Sequence, residues 1–391
     1  MVKRKITILH TADWHLGLVS WTSLSGVERL KEQEECLESM IDTARREKVD
    51  AIIHAGDLFH HYHQPSRDAI RLAMDTMLRM KEIAPFIWVI GNHDWYAMDA
   101  LKGALPKGIS VVRDFTPFRL NDLPIRIFPL PYLSLARFLG SLGGESIQDA
   151  GQERLRGVMR DWERELNPDC WNILVAHLSV EDLARHYAEA NETREIFLKP
   201  ADIPPGIDYA AFGHLHALIP YTKCPFPLYY PSSLVLDSFL REKQDAGFLL
   251  VTLEEGRMAS VHPCFFEKSN LITMEVSEST SISLLREEIS QRADRPRNFI
   301  RVNVHGKVTN PEFFSEIKEL SGVNWQVVAV EIVRERGKSQ GEEIYPEVTS
   351  ETIPVLFTSF CQENQLSPEV VSLFHEYYHR ALTTGQGNEA E

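Results

Sequence analysis

The chain has 391 residues, of which 43% are hydrophobic and 25% charged, and this is typical of a globular protein with two or three domains. Its 41 lysines and arginines are outnumbered by 56 aspartates and glutamates, so the net charge is −15. This balance excludes a protein that coats nucleic acid through a large basic surface. It does not exclude nucleic acid as a substrate, because bound metal ions or a partner could supply the missing positive charge.

The sequence also predicts a cytoplasmic protein that does not contact a membrane. The apolar stretch after the basic opening "MVKRK" is too short for a signal peptide, and no apolar run approaches the roughly 18 residues of a membrane span. The five cysteines are odd in number and lack CxxC spacing, which indicates reduced thiols.

Seven short apolar runs predict buried strands in the first 265 residues. In chain order they are "ITIL", "DAIIHAG", "PFIWVIG", "IRIFPLP", "WNILVAH", "DYAAFGH" and "GFLLVTL". Two segments between them, 27–47 and 67–83, have apolar residues at helical spacing. In the second segment the predicted apolar face consists of Ile70, Met74, Met77 and Leu78. We therefore predict an α/β fold in which layered β-sheets are covered on both faces.

The pattern changes after a predicted core domain of residues 1–265. Residues 266–333 predict the order β-α-β-α-β, a small separate α/β domain. The polar, Gly-containing segment 334–349 is typical of a linker. Two short amphipathic helices are predicted within 350–383, and residues 384–391 are typical of a disordered tail.

Residues that can bind metals lie at or just past the carboxyl ends of five of the predicted strands. They are Asp13 and His15, Asp57, Asn92, His177, and finally His214 and His216. Loops at the carboxyl ends of strands carry function in α/β folds, so these side chains are expected to meet. The i, i+2 spacing of the first and last pairs would point both side chains to one side of an extended chain, where they could bind one cation.

Two carboxylates, four imidazoles and one amide suit a pair of divalent first-row metal ions. Two such ions and two carboxylates leave a charge near +2, which favours an anionic phosphate substrate and a metal-activated water as nucleophile. Gly56, Gly91 and Gly213 would permit tight turns beside the ligands. A single histidine after a strand is more often a hydrogen-bonded loop residue, and "GNHD" could be a turn in which Asp94 orients the backbone. Seven such residues at five strand ends favour the metal site.

The motifs "DWH", "GDLFH", "GNHD", "VAHLS" and "GHLH", in that order, resemble those of the calcineurin-like metallophosphoesterases. More narrowly, "HTADWHLG" with "GDLFHHYHQPS" resembles the SbcD-type nuclease subunits of DNA double-strand-break repair, over about residues 6–240. The resemblance implies a calcineurin-like core and two manganese ions. It assigns Asp13, His15 and His216 to the first ion, Asn92, His177 and His214 to the second, and Asp57 to a bridge between them.

The resemblance also implies roles for two further histidines and for partners. His93 would contact the phosphate and assist the leaving oxygen, and His60 would help to place the DNA end, while His61 and His63 receive no role. The helices of 67–105 would form a homodimer, 270–333 would cap the DNA, and the helices at 350–382 would dock on an SMC-like ATPase of the SbcC type. The expected activity is exonuclease and endonuclease cleavage of DNA ends, hairpins and single strands.

Other interpretations keep part of this chemistry. The enzyme could be a phosphodiesterase for a small molecule or nucleotide, a phosphoprotein phosphatase, or a nuclease of a phage-defence complex. A non-catalytic scaffold is the remaining alternative, and the full ligand set together with His93 disfavours it. Two positions, Ala12 and Ser232, depart from the usual Ser and Gly of the family. Trp14, Trp95 and Tyr96 flank the site and either stack on bases or pack against the sheet.

Overall fold

The computed structural model describes residues 3–21, 26–95, 107–120, 122–132, 147–183, 196–306 and 311–333, and single positions at 101, 105, 357, 358, 371, 374 and 378. The chain divides into two units, Met1–Arg334 and Glu335–Glu391. The predicted linker and the predicted tail lie outside the described residues. In the second unit the described positions are helical, and the ring of Phe374 stacks on Phe357 with 3.9 Å between centroids.

All seven predicted strands are present, and they belong to two six-stranded sheets. The first sheet contains β1 (Ile6–Thr11), β2 (Ala51–Ala55), β3 (Phe86–Val89), β4 (Ile109–Val112), β11 (Gly247–Leu253) and β12 (Ser260–Phe265). Its order is β12-β11-β1-β2-β3-β4. Strands β1 to β4 are parallel, and β11 and β12 extend the sheet in antiparallel fashion.

The second sheet has a parallel centre and antiparallel edges. It contains β5 (Phe118–Arg119), β6 (Ile125–Leu130), β7 (Trp171–His177), β8 (Tyr209–Gly213), β9 (Ile219–Tyr221) and β10 (Leu228–Tyr230). Its order is β5-β6-β7-β8-β10-β9. Every residue of β7 and β8 is buried, so both central strands are covered on two faces.

The two sheets pack face to face. Successive side chains of a strand point to opposite faces, so each strand contributes to two apolar layers. Ile8, Ile53 and Val175 belong to the apolar layer between the sheets. Leu9 and Ile52 point the other way, into the layer under helices α1 (Gly26–Arg46) and α2 (Arg67–Lys81). Helix α3 (Ile147–Glu163) covers the outer face of the second sheet. The predicted α/β fold with layered sheets is therefore confirmed.

A third, smaller sheet follows the two large ones. Its parallel strands are β13 (Ser269–Ser277), β14 (Arg297–His305) and β15 (Trp325–Val333), and α4 (Ile282–Arg292) and α5 (Pro311–Lys318) connect them. This is the predicted β-α-β-α-β order. The guanidinium of Arg297 binds both carboxylate oxygens of Glu35 on α1 at 2.9 Å, which ties the small sheet to the core. None of the helices in the described part of the chain has the length and hydropathy needed to cross a membrane.

The predicted apolar face of α2 is wrong by about one residue. Ser66 caps this helix, its Oγ accepting from the Ala69 amide at 3.2 Å, and the buried residues are Ala69, Ala73, Thr76, Met77 and Met80. The small side chains of the two alanines let the helix approach the sheet closely. The larger side chains of the predicted face would keep the helix further away. Ile70 and Met74 are therefore only half-buried, and Leu78 is 39% exposed.

Candidate metal centre

The five ligand-bearing strand ends meet at one edge of the two-sheet sandwich. Strands β1, β2 and β3 are parallel neighbours in the first sheet, and β7 and β8 are parallel neighbours in the second. Strand β2 packs across the sandwich against both β7 and β8. The structure therefore brings together all seven residues that the sequence predicts as ligands.

Four of these residues form a compact cluster. One ligand atom each of Asp13, His15, Asp57 and His216 lies within 4.8 Å of all the others. Nε2 of His15 is 2.9 Å from Nε2 of His216 and 3.5 Å from an Asp57 carboxylate oxygen. Nε2 of His216 is 3.6 Å from an Asp13 carboxylate oxygen. This cluster has the composition of a site for one divalent ion.

Asp57 also faces the remaining predicted ligands. Its Oδ2 is 3.4 Å from Nε2 of His177, and that nitrogen is 3.0 Å from Oδ1 of Asn92. The ring of His214 lies beside His177, with 5.2 Å between centroids, and its backbone amide donates to Asp13 at 3.0 Å. The same oxygen of Asp57 thus faces both His15 and His177, so Asp57 would be able to contact both ions.

Contrary to the prediction, the two i, i+2 pairs do not lie in extended chain, although both pairs do enter the site. Five predicted ligands have positive φ angles instead: Asp13 (52°), His15 (44°), Asp57 (57°), His214 (106°) and His216 (48°). Left-handed backbone at a residue other than glycine costs roughly 1–3 kcal/mol and is concentrated at functional sites. The loop after β1 holds this geometry because it continues to pair with the loop after β2, the amides of Asp13 and His15 donating to Gly56 and Asp57.

The glycines beside the ligands are required by close packing more than by turns. Gly56 has a positive φ of 91°, but neither Gly91 nor Gly213 does. A Cβ atom on Gly91 would lie 2.1 Å from the Asp57 carboxylate and 2.4 Å from the Asp57 amide nitrogen. On Gly213 it would lie 2.1 Å from the carbonyl oxygen of Ala55. These two positions have no room for a side chain.

Asp94 holds the backbone of the site in place through hydrogen bonds. Its buried carboxylate accepts from the backbone amides of Asp57 at 2.9 Å and Leu58 at 2.8 Å, from the Gly91 amide at 2.8 Å and from the Trp88 indole at 3.0 Å. The "GNHD" motif is therefore a turn that Asp94 organises and also the source of Asn92. The sequence alone left these two interpretations as alternatives.

His93 and His60 lie at the entrance to the cluster. The amide of His93 donates to Oδ1 of Asp57 at 2.9 Å, and Nδ1 is 2.6 Å from the carbonyl oxygen of His60. A carbonyl only accepts, so Nδ1 carries the proton and Nε2 is left for substrate. The rings of His93 and His60 stand 4.8 and 5.6 Å from the ring of His15. Burial lowers the pKa of His60 to about 4.

The buried charges fit added cations. Burial raises the pKa of Asp13, although His216 and His177 oppose the shift. Burial would also raise the pKa of Asp57, but His177 and His15 hold it well below its ordinary value. Burial would lower the pKa of His177, yet Asp57 and Asp13 outweigh it and raise that pKa to about 10. In the absence of metal, protonated His177 thus offsets the negative charge of the carboxylates. Bound divalent cations would offset that charge instead.

The structure describes most of the remaining residues that the sequence singled out near the site. Trp14 is fully buried and its indole nitrogen donates to Thr11 at 2.8 Å, so it packs against the sheet and does not stack on bases. Trp95 is half-buried, and Tyr96 lies outside the described residues. Ser232 is buried and its φ is not positive, so the backbone accommodates this departure from the family without strain. No sequence motif indicates Asp237, whose Oδ2 is 2.8 Å from Nδ1 of His216.

Comparison with known proteins agrees with this geometry. The family model of the calcineurin-like phosphoesterases matches residues 6–218, more than half of the chain. The chain belongs to the calcineurin-like phosphoesterase family, and its chemistry is metal-dependent hydrolysis of phosphoesters. Two divalent ions, when bound, would supply Lewis-acid activation of water and neutralise phosphate charge.

Three solved structures are similar to this chain at low sequence identity. A dimetal phosphatase from Danio rerio is 14% identical, with a TM-score of 0.44 over 66% of this chain and 95% of that one. The anchor protein GAP50 of the inner membrane complex of Plasmodium is 14% identical, with a TM-score of 0.40 over 68% and 90% of the two chains. A putative 5'-nucleotidase from Staphylococcus aureus is 15% identical, with a TM-score of 0.39 over 67% and 54%.

Proposed function

We propose that this protein is the nuclease subunit of a DNA-repair complex, an SbcD-type enzyme that uses manganese and works with an SMC-like ATPase. The observation that carries the proposal is the position of His93 and His60 directly beside the metal-ligand cluster. The loop that holds His60, "GDLFHHYHQPS", is also one of the two motifs by which the sequence resembles these nucleases. A histidine pair at the entrance suits an enzyme that must protonate a leaving sugar oxygen and position a polymer end.

The roles of the two histidines follow from their contacts. The backbone of His93 is fixed by Asp57 and its Nδ1–H by the His60 carbonyl, so its Nε2 is held ready to exchange a proton with the leaving oxygen. His60 supplies the carbonyl oxygen of this hydrogen bond, and its ring stacks on that of His93 with 5.8 Å between centroids. It is suited to contact the nucleotide next to the cleaved bond.

The proposal includes a homodimer and an ATPase partner. Helix α2 carries Ile70, Met74 and Leu78 at i, i+4 and i+8, and this partly exposed apolar stripe suits a second copy of the chain. The helical positions of the C-terminal unit carry the stacked rings of Phe357, Phe374 and Tyr378, which suit a helical partner such as a coiled coil. A partner would also supply the DNA contacts that a chain of charge −15 has difficulty making alone.

The test compares substrates with one protein preparation. The full chain, loaded with Mn²⁺, is assayed on blunt double-stranded DNA, on hairpins and on bis-p-nitrophenyl phosphate, with and without ATP and any ATPase co-purified from native lysate. We expect DNA cleavage that Asp57→Asn abolishes and that ATP with the partner stimulates. Hydrolysis of the small diester without cleavage of any DNA would favour the small-molecule phosphodiesterase instead.

A further inference from the structure

His216 is held between a carboxylate and the metal-ligand cluster. Its Nδ1 is 2.8 Å from Oδ2 of Asp237, and its Nε2 is 2.9 Å from Nε2 of His15 and 3.6 Å from Oδ1 of Asp13. The ionised carboxylate can only accept, so Nδ1 carries the proton. In the neutral imidazole the lone pair is then on Nε2, the nitrogen that faces the cluster.

We propose that Asp237 is a positioning residue for His216, which fixes the tautomer and the ring orientation in which Nε2 binds a metal ion. A carboxylate behind a ligating histidine also makes the histidine a stronger donor. Asp237 is suited to this because its side chain is only 18% exposed, so water competes weakly for the Nδ1–H. It also adds a negative charge behind the ligand His216, which favours divalent cations further.

The backbone on both sides of Asp237 is anchored. On one side the carbonyl oxygen of Leu236 accepts from the buried guanidinium of Arg29 at 2.6 Å. On the other side the ring of Phe239 packs on Trp21, with 5.4 Å between centroids, and under the guanidinium of Arg301 of β14 at 4.8 Å. The neighbours of Asp237 are therefore held by α1 and by the small sheet together.

Further along, the same segment is bonded to the small sheet. The carboxylate of Glu242 accepts from the backbone amide of Thr273, on β13, at 2.8 Å. The small domain thus helps to hold a residue that contacts a metal ligand. This inference rests on the metal site of the family and not on the proposed DNA substrate.

The test measures metal binding by the full chain, without any substrate. Chelator-stripped wild type, Asp237→Asn and Asp237→Ala are titrated with Mn²⁺ by calorimetry, and bound manganese is counted after gel filtration. We expect Asp237→Ala to weaken one of two binding events by about 10–100-fold and to leave the other unchanged. Asp237→Asn keeps an oxygen that accepts from Nδ1–H, so its loss should be smaller.

The matched control is Asp245→Asn. Asp245 lies on the same segment but pairs with Arg295 at 3.3 Å, so its replacement should leave both binding events as in the wild type. The unfolding midpoint of each metal-free variant shows whether its fold is intact. If Asp237→Ala fails to fold, the metal titration relies on Asp237→Asn, which keeps the volume of the side chain. The proposal would be overturned if Asp237→Ala bound both manganese ions with the affinity of the wild type. It would also be overturned if Asp237→Asn weakened both binding events equally. Failure of DNA cleavage alone would not affect it.

Discussion

Acid should destabilise this protein through a buried histidine that joins the two large sheets. His10, on β1, is fully buried, and its Nδ1 is 2.8 Å from the hydroxyl of Tyr209 on β8. Its Nε2 is 3.1 Å from the carbonyl oxygen of Phe212, so Nε2 carries the proton and Nδ1 accepts from Tyr209. The neutral ring thus satisfies both contacts. Burial, partly opposed by the bond to Phe212, lowers the pKa of His10 from 6.5 to about 3.

The direction of the effect follows from linkage. Between these two pKa values the unfolded chain binds a proton at His10 and the folded chain does not. The contribution of His10 to stability is therefore complete above about pH 6.5 and is lost as the pH falls towards about 3. At about pH 5 the loss relative to about pH 8 amounts to roughly 2 kcal/mol in the free energy of unfolding.

The assay is urea unfolding of the chelated protein at about pH 8 and about pH 5. His10→Gln keeps a donor and an acceptor but cannot titrate, so its loss of stability on acidification should be smaller than that of the wild type by roughly 2 kcal/mol. The other histidines are the same in both proteins and cancel in this comparison. His262→Gln, on the exposed side of β12, is the control and should behave as the wild type. Identical pH dependence in wild type and His10→Gln would refute the argument.

Four further changes test the site and the division of the chain. Asp57→Asn should reduce metal content below two ions per chain by mass spectrometry, with affinity lower by at least ~100-fold, because one oxygen faces both His15 and His177; two retained ions would contradict the bridge. His93→Gln should keep both ions and lower turnover by ~10²–10⁴-fold, whereas parallel loss of metal would make it a ligand. Gly91→Ala should displace Asp57, lowering stability by about 1–3 kcal/mol together with metal content, and an unchanged urea midpoint would show that the loop can adjust. Truncation after Arg334, the end of the first unit, should preserve metal binding and hydrolysis of a small diester while ATP-stimulated DNA processing disappears; unfolding would place the last helices in the core.

The strands and their ligands were predictable because they depend on local sequence. A short, near-continuous apolar run such as "WNILVAH" is typical of a strand buried on both faces, and parallel strands bring their carboxyl ends to one edge. His177 and Asp57 are therefore placed by pattern alone. The face of α2 was not predictable, because Ala69 and Ala73 face the sheet through their small size, a property that hydrophobic periodicity does not weigh.

Contacts between segments distant in the chain were also beyond the sequence. Asp237 lies in an irregular stretch without helical or strand periodicity, and it reaches His216 only because Arg29 and Arg301, from two other parts of the chain, fix the backbone around it. The link between His10 and Tyr209 joins residues 199 positions apart. The local sequence of neither His10 nor Asp237 shows which distant residue its side chain will contact.

The backbone of the metal centre shows why so many supporting contacts are present. Five ligands have left-handed φ angles, each unfavourable by roughly 1–3 kcal/mol in isolation. Such angles persist only where neighbouring contacts determine them, and in this site several elements of the fold supply these contacts. The loop after β1 pairs with the loop after β2, Asp94 binds the amides around Asp57, and Gly91 and Gly213 allow the two sheets to close on the site. Because this strain exists only in the folded chain, metal ions that bind the folded state offset it by mass action. Removal of the ions should therefore loosen the loops after β1 and β8 before it loosens the sheets, since six of the seven ligands lie in loops and only His177 lies in a strand.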